Sequence, residues 1–428
     1  MFKIQNPVLF IILVLNFSLI VYPNNKTNDD KSNVIVCANQ ISKYENLLQD
    51  KRIGIVANHT SVIFRKDIGH THLVDSLIKL DFDVRKIFAP EHGFRGTEPN
   101  GANIDDEIDI KTGLKIISLH GKNRKYGEID DRDLKDIDIL IFDIQDVGVR
   151  FYTHISTLHY VMEASARNSI PLIVLDRPNP IRGDIVNGPV PRTEFQSFES
   201  YHLFPIRHGM TIGEMAITIN EMGWAKESKR VELNVIPLSN WNRNMWFSDT
   251  GIPWRNPNPY INEQDILIKY VGMDLFRGTN MNVGCGTNKP YALVGAPWLV
   301  TSFLLEKLNN QNLPGVEFKE IKYRPGGSIY HQRVPKYDSQ SCSGIEVLIK
   351  DINQFNPLST ATSIMLLIER LHPREFQWEK DDYLDKLFGT NDLRVIAAQK
   401  KPLDHLPALW AKDVYEFNDF RQPFLIYK

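Results

Sequence analysis

The stretch VRKIFAPEHGFRG, Val84 to Gly96, changes character at Pro90. Val84 to Ala89 reads as a buried strand. Directly after Pro90 stand a carboxylate (Glu91), an imidazole (His92), a glycine and a guanidinium (Arg95) before a second glycine. Titratable groups packed into a glycine-bounded turn do little for stability, and loops held by a rigid scaffold are where catalytic groups commonly sit. A solvated turn with ordinary surface charge is the other reading. The neighbouring strands weigh between the two.

Outward from this stretch the same pattern recurs. RIGIVAN (Arg52 to Asn58) reads as a buried strand, as do Lys115 to Leu119, Ile137 to Phe142 and Pro171 to Asp176. Between them lie helical patterns. Thr71 to Leu80 places Leu73, Val74, Leu77 and Ile78 on one face, and Ile155 to Asn168 is amphipathic. Continuous apolar strands alternating with helices predict a parallel sheet covered on both faces. The fold expected is α/β, with a Rossmann-like doubly wound domain over residues 34–190. The strand runs end in Asn58-His59-Thr60, Glu91-His92, His120, Asp143-Ile144-Gln145-Asp146 and Asp176-Arg177. In an open α/β sheet ligands bind outside the carboxyl ends of the strands, so these groups are expected to share one edge and one site.

Several classes are set aside. The first strand continues as ANHTSVIF, with neither GxGxxG nor a Walker lysine loop, so no nucleotide cofactor is expected. A net charge of −2 without a basic run gives no nucleic-acid footprint. Three cysteines without CxxC spacing make neither a zinc site nor a disulfide framework. His59, His92, His120 and His208 have aspartates nearby, but no HxH or HxxxH spacing supports a metal, and no cofactor is assigned. There is no GxSxG elbow.

At 428 residues the chain has room for two or three domains. Lys3 precedes the apolar run VLFIILVLNFSLIVY, Val8 to Tyr22, which is short for a membrane span and reads as a signal-peptide core. Residues 1–33 are therefore expected to be a leader with a polar linker, and the protein to be exported, periplasmic or secreted. No A-x-A cleavage site is visible, which leaves an uncleaved N-terminal membrane anchor as the alternative. The Pro- and Gly-rich segment Asp176 to Arg192 is the expected joint to a second, α+β domain over residues 191–428. There, Thr211 and Glu214 form a capping box opening a helix to Met222. Val231 to Leu238 reads as a strand, Trp254 to Trp298 as an irregular binding-loop region, and Ile321 to Tyr323 and Gly344 to Ile349 as strands. Ser359 is the expected N-cap of a helix to Leu371, with two further helical stretches ending near Asp419.

Glu91 is the general-acid candidate, because a partly desolvated carboxyl above a sheet edge gains a useful pKa. His92 either orients it or packs. Asp143, Gln145 and Asp146 follow the strongest strand and should be well fixed. Arg150 either grips a substrate carboxylate bidentately or pairs with Asp143 or Asp146.

The motifs also carry a resemblance. FAPEHGFRG (88–96), FDIQDVGVRFYTHI (142–155), LDRPNPIRG (175–183), PIRHGMTIGEMA (205–216), PWRNPNP (253–259), GTNMNVGCGTNKPY (278–291) and GAPW (295–298) resemble, in order, the exo-β-N-acetylmuramidase family of peptidoglycan-recycling glycoside hydrolases. That resemblance implies removal of N-acetylmuramic acid from non-reducing ends of peptidoglycan fragments, a smaller C-terminal domain, and an active-site cleft between the domains. The family's catalytic glutamate falls on Glu91. Asp143 or Asp146 would activate water or stabilise the anomeric carbon, unless the substrate's 2-acetamido oxygen attacks. Arg150 or Arg177 would meet the lactyl carboxylate, and Tyr152, Trp254 or Trp298 would stack on sugar. Asn58, His59, His92, Arg95, Gln145, His208, Arg255 and Asn280 complete the binding candidates. Arg277, Cys285 and Asn187 depart from the family's EGTN, GRGT and VEGP patterns. Two other classes stay open: a non-catalytic muramyl-sugar-binding protein, motivated by Arg277 and Cys285, and a metal-dependent deacetylase or amidase on the same polymer.

Overall fold

A computed structural model describes residues 33–67, 69–91, 93–95, 105–120, 127–225, 229–326, 334–403 and 406–428. The leader expected over residues 1–33 lies outside these, Asn33 excepted, as does His92. Among the described residues no helix is long and apolar enough to cross a membrane.

The first strands are β1 (Ile53–Ala57), a hairpin of β2 (Val62–Arg65) and β3 (Gly69–His72), β4 (Val84–Ala89), β5 (Glu107–Ile108), β6 (Lys115–Ser118), β7 (Ile139–Asp143), β8 (Leu172–Leu175) and β9 (Leu233–Ile236). The helices among them are α1 (Glu45–Leu48), α2 (Leu73–Lys79), α3 (Asp131–Leu134), α4 (His154–Asn168) and α5 (Ile212–Glu221). The main sheet has the order β5-β6-β4-β1-β7-β8-β9, parallel except for the β5/β6 pair at one edge. From β1 the chain builds outward through β4 and β6, then returns to the other side of β1 for β7, β8 and β9. That reversal leaves a crevice between the carboxyl ends of β1 and β7, the topological switch point of a doubly wound sheet.

Alternate side chains load the two faces, as strand geometry requires. Val56, Phe88, Phe142 and Val174 pack under α4 and α5. Ile55, Ile87, Ile141 and Ile173 pack under α2. Thr211 caps α5 in the predicted capping box with Glu214.

The sheet does not stop at the expected joint. β9 adds beside β8 in parallel register, Leu172 opposite Leu233, so the layer extends past residue 190. Beyond it come α6 (Gln264–Met273), β10 (Leu293–Ala296), α7 (Thr301–Asn310), β11 (Val316–Tyr323), β12 (Cys342–Ile349), α8 (Pro357–Leu371), α9 (Tyr383–Phe388), α10 (Asp392–Gln399) and α11 (Ala411–Phe420). The three later strands form an antiparallel sheet, β10-β12-β11. Two expectations are corrected here. The segment 254–298 holds a buried helix and a strand, and α8 is capped by Asn356, with Pro357 in its first turn, instead of by Ser359.

The second layer shares its core with the first. Val147, Val149, Phe151 and Tyr152 belong to the same apolar cluster as α6 and α8. The chain also closes back on the first sheet. The Tyr427 hydroxyl donates to Asp176 Oδ2 at 2.5 Å, and Arg421 Nη1 donates to the Gly183 carbonyl at 2.9 Å.

Candidate active site

The carboxyl end of β1 forms a tight turn. The Thr60 amide and hydroxyl donate to Asn58 Oδ1 at 2.9 and 2.6 Å, and the Ser61 hydroxyl reaches across to the Asp143 carbonyl on β7. Asn58 is fully buried by this work. Thr60 Oγ1 also accepts from the Gln145 amide at 3.1 Å, so the two strand ends at the switch point are laced together. The Gln145 side chain is spent on the carbonyls of Asp146 and Pro178, at 2.7 and 2.8 Å.

Glu91 follows β4 and is half-buried. The Thr153 hydroxyl, just ahead of α4, donates to Glu91 Oε2 at 3.1 Å. Next to Thr153 lies Tyr152, whose hydroxyl donates to the Pro257 carbonyl at 3.0 Å. Burial pushes the Tyr152 phenol far up, and the charges of Glu91 and then Asp146 push the same way. Both carboxylates therefore act on one aromatic ring.

Asp146 lies on the floor of the cleft, 5% exposed. Its Oδ2 accepts from the Gly148 amide at 2.6 Å and stands 3.6 Å from His208 Nε2. Gly148 holds φ at +81°, and a Cβ there would meet Asn179 Oδ1 at 2.5 Å, so only glycine presents that amide. His208 Nδ1 accepts from the Met210 amide at 3.2 Å, which places the neutral ring's proton on Nε2, facing Asp146.

A small cleft lies between the strand ends and the segment 252–257. Thr60, Gln145, Asp146, Arg177, Trp254 and Arg255 contribute to its wall. His59 Nε2 donates to the Asn256 carbonyl at 2.6 Å, so His59 and Tyr152 pin the loop that carries Trp254 and Arg255. Arg255 Nη2 lies 2.9 Å from His70 Nε2.

Other candidates are elsewhere or otherwise engaged. Asp143 is wholly buried in a fork with Arg177, Nε to Oδ1 at 2.6 Å and Nη2 to Oδ2 at 2.9 Å. Asp143 is therefore closed to a sugar, a correction to its place as second catalytic group. Arg177, although it reaches the cleft wall, has both prongs of its fork on Asp143 instead of free for a lactyl carboxylate. Arg150 is corrected too. It is buried and spends its guanidinium on the carbonyls of Pro189, Phe204 and Leu387 at 2.6, 2.9 and 2.8 Å, tying the two layers together. Arg95 is forked onto Asp109, with Asp75 at 3.6 Å. Asn280 exchanges hydrogen bonds with Glu375 and Gln377 in the second layer, and Tyr152 is buried at its ring.

Arg277 is neutralised where it stands. It donates to Asp274 Oδ2 at 2.9 Å and to Glu199 Oε1 and the Tyr383 hydroxyl at 2.7 Å each. Burial pushes the Cys285 thiol up to about 12, so it is neutral at ordinary pH. Sequence reasoning missed Thr153, the partner of Glu91. Its only signal was position, inside the same motif as Asp146 and directly before a helix.

Residues 53–265 match the family described as exo-beta-N-acetylmuramidase NamZ, N-terminal, and residues 268–427 match its C-terminal counterpart. The peptidoglycan beta-N-acetylmuramidase NamZ of Bacillus subtilis is 36% identical over 388 residues, covering 90% of this chain and 89% of that one. Two crystal structures of DUF1343 family proteins from Bacteroides fragilis superpose with TM-scores of 0.82 and 0.74 at 29% and 30% identity. They cover 92% and 93% of this chain, and 99% of each of theirs is matched. With both halves matched in order and the doubly wound sheet shared, this chain belongs to the exo-beta-N-acetylmuramidase NamZ family.

Proposed function

We propose that this protein is an exo-acting glycosidase that releases N-acetylmuramic acid from the non-reducing end of peptidoglycan fragments, with Glu91 as general acid. The name borne by the Bacillus subtilis relative supports the bond class and the polymer. The observation that carries the residue assignment is Glu91, past the end of β4 with the Thr153 hydroxyl donating to it, together with Asp146, past the end of β7 in the cleft wall.

Cleavage of a glycosidic bond passes through an oxocarbenium-like state and needs an acid for the leaving oxygen and a second group for the anomeric carbon. Glu91, half-buried and steadied by Thr153, donates the proton. Asp146 is too enclosed, by Gly148 and His208, to advance as a nucleophile. Its negative charge instead stabilises the positive carbon and orients the 2-acetamido group, whose oxygen bonds to that carbon as the protonated leaving sugar departs. Water, deprotonated by the Glu91 carboxylate, then opens the oxazolinium ring to give free N-acetylmuramic acid. Export is part of the proposal and rests on the run Val8 to Tyr22.

The test is release of free N-acetylmuramic acid from a muramyl-glucosamine disaccharide, by the parent and by Glu91→Gln. Release by the parent and a loss of about 100-fold or more in the variant are expected. Equal release by both would remove Glu91 from the role, and no release by the parent would remove the glycosidase.

A further inference from the structure

Of the four arginines that the sequence offers as site residues, three are already answered. Arg177 faces both oxygens of Asp143, Arg95 faces Asp109, and Arg150 is buried among three carbonyls. Arg255 differs. Among the described residues no carboxylate lies within ion-pair reach of it, and its hydrogen-bond partner is His70 Nε2. Arginine has no acceptor, so that nitrogen of His70 must be the acceptor and carry no proton. A neutral imidazole fixes the guanidinium without cancelling its charge. Burial also pulls the Arg255 guanidinium down from its ordinary value, as an environment short of anions does.

The carrier is stiff. Pro253 and Pro257 bracket the loop, and the carbonyls of Asn256 and Pro257 are held by His59 and Tyr152. Arg255 thus presents a preset charged fork to the same cleft that Asp146 floors. Phe64 and Ile252 line the same cleft and supply an apolar wall suited to a methyl group beside the anion.

We infer that Arg255 is the specificity residue of this cleft, reading the carboxylate of a lactyl ether on the sugar by a two-pronged hydrogen bond. This rests on the proposed muramyl substrate and deepens it. A hexosamine without the ether leaves the guanidinium unanswered, which disfavours it. The recognised feature is the anion, held where planar donors can meet both oxygens.

The test uses the full chain and needs no turnover. Calorimetry compares N-acetylmuramic acid with its lactyl primary amide, on the parent, Arg255→Ala and Arg255→Lys. The parent is expected to prefer the acid by roughly 100-fold. Arg255→Ala should bind both alike, and Arg255→Lys should restore part of the preference, because it keeps the charge but not the fork. A parent that binds acid and amide equally, or an Arg255→Ala protein that still prefers the acid, overturns the assignment. Hydrolysis of the disaccharide, assayed in parallel, tests the glycosidase separately. Preference for the acid without hydrolysis would keep Arg255 and discard the enzyme.

Discussion

Arg177 closes on both carboxylate oxygens of Asp143, one fork across the ends of two neighbouring strands, with 4% and 0% of the two side chains exposed. Removing one member of a buried pair strands the other, at a cost of about 3–5 kcal/mol. Asp143→Asn should therefore lower the denaturant midpoint sharply, whereas Asp146→Asn should leave it nearly unchanged and depress turnover. Equilibrium unfolding of both variants decides. A stable Asp143→Asn protein that has lost only kcat would return Asp143 to the chemistry.

Thr153 fixes one oxygen of Glu91. Thr153→Val keeps the shape and removes the donor, so kcat should fall about tenfold, well short of the loss in Glu91→Gln. Steady-state kinetics on the disaccharide measure both. Identical losses in the two variants would mean that Thr153 does more than hold the carboxyl.

His208 Nε2 stands 3.6 Å behind Asp146, and the Met210 amide donates to its Nδ1. His208→Gln can still offer an N–H near the position of Nε2, and His208→Ala cannot. The alanine variant should lose roughly 10- to 100-fold in kcat with little change in KM, and glutamine should recover part of it. Equal defects in both, accompanied by a lowered Tm, would indicate packing alone.

Acid sensitivity should arise at His72. Its Nδ1 accepts from the Val74 amide at 3.2 Å and its Nε2 donates to the Asn58 carbonyl at 2.9 Å, so both nitrogens are engaged only in the neutral ring. Burial pushes it down to about 4. With a pKa of about 6.5 once unfolded, its contribution is present above that pH and is lost as the pH falls from 6.5 through 4, by about 3 kcal/mol in all. His72→Asn, which keeps a cap for α2 but cannot titrate, should flatten that part of the stability curve. Denaturant titrations between pH 4 and 7 would show it, and parallel curves would clear His72.

The first layer was legible because its strands are buried on both faces. Ile53–Ala57, Ile139–Asp143 and Leu172–Leu175 read as unbroken apolar runs and were found within one or two residues. β9 reads as a strand in the sequence, but its place beside β8 does not, since that parallel partner lies across a crossover of more than fifty residues whose path leaves no periodic trace. α6 escaped for a related reason: QDILIKYVGM is buried nearly all round, so no polar stripe marks a helix. At the site, residue types at strand ends revealed where chemistry gathers. They did not reveal which charges are already answered. Arg150 finds its Leu387 carbonyl 237 residues away, and Arg177 its carboxylate 34 residues away, and such partners are set by topology alone.

The hydrogen bond from Tyr427 to Asp176 spans 251 residues, and it bears on how the molecule is made. As the chain leaves the ribosome, the strands of the main sheet have all emerged before residue 240, yet Asp176 at the end of β8, already bonded by Arg177, Thr211 and Gly213, still lacks the Tyr427 hydroxyl. Until the segment around Arg421 and Tyr427 appears, the nascent sheet holds an incompletely satisfied carboxylate and an uncovered patch around Phe417's seat. A stalled or clipped product ending after the first family segment would carry that defect permanently, a ready mark for chaperones and proteases.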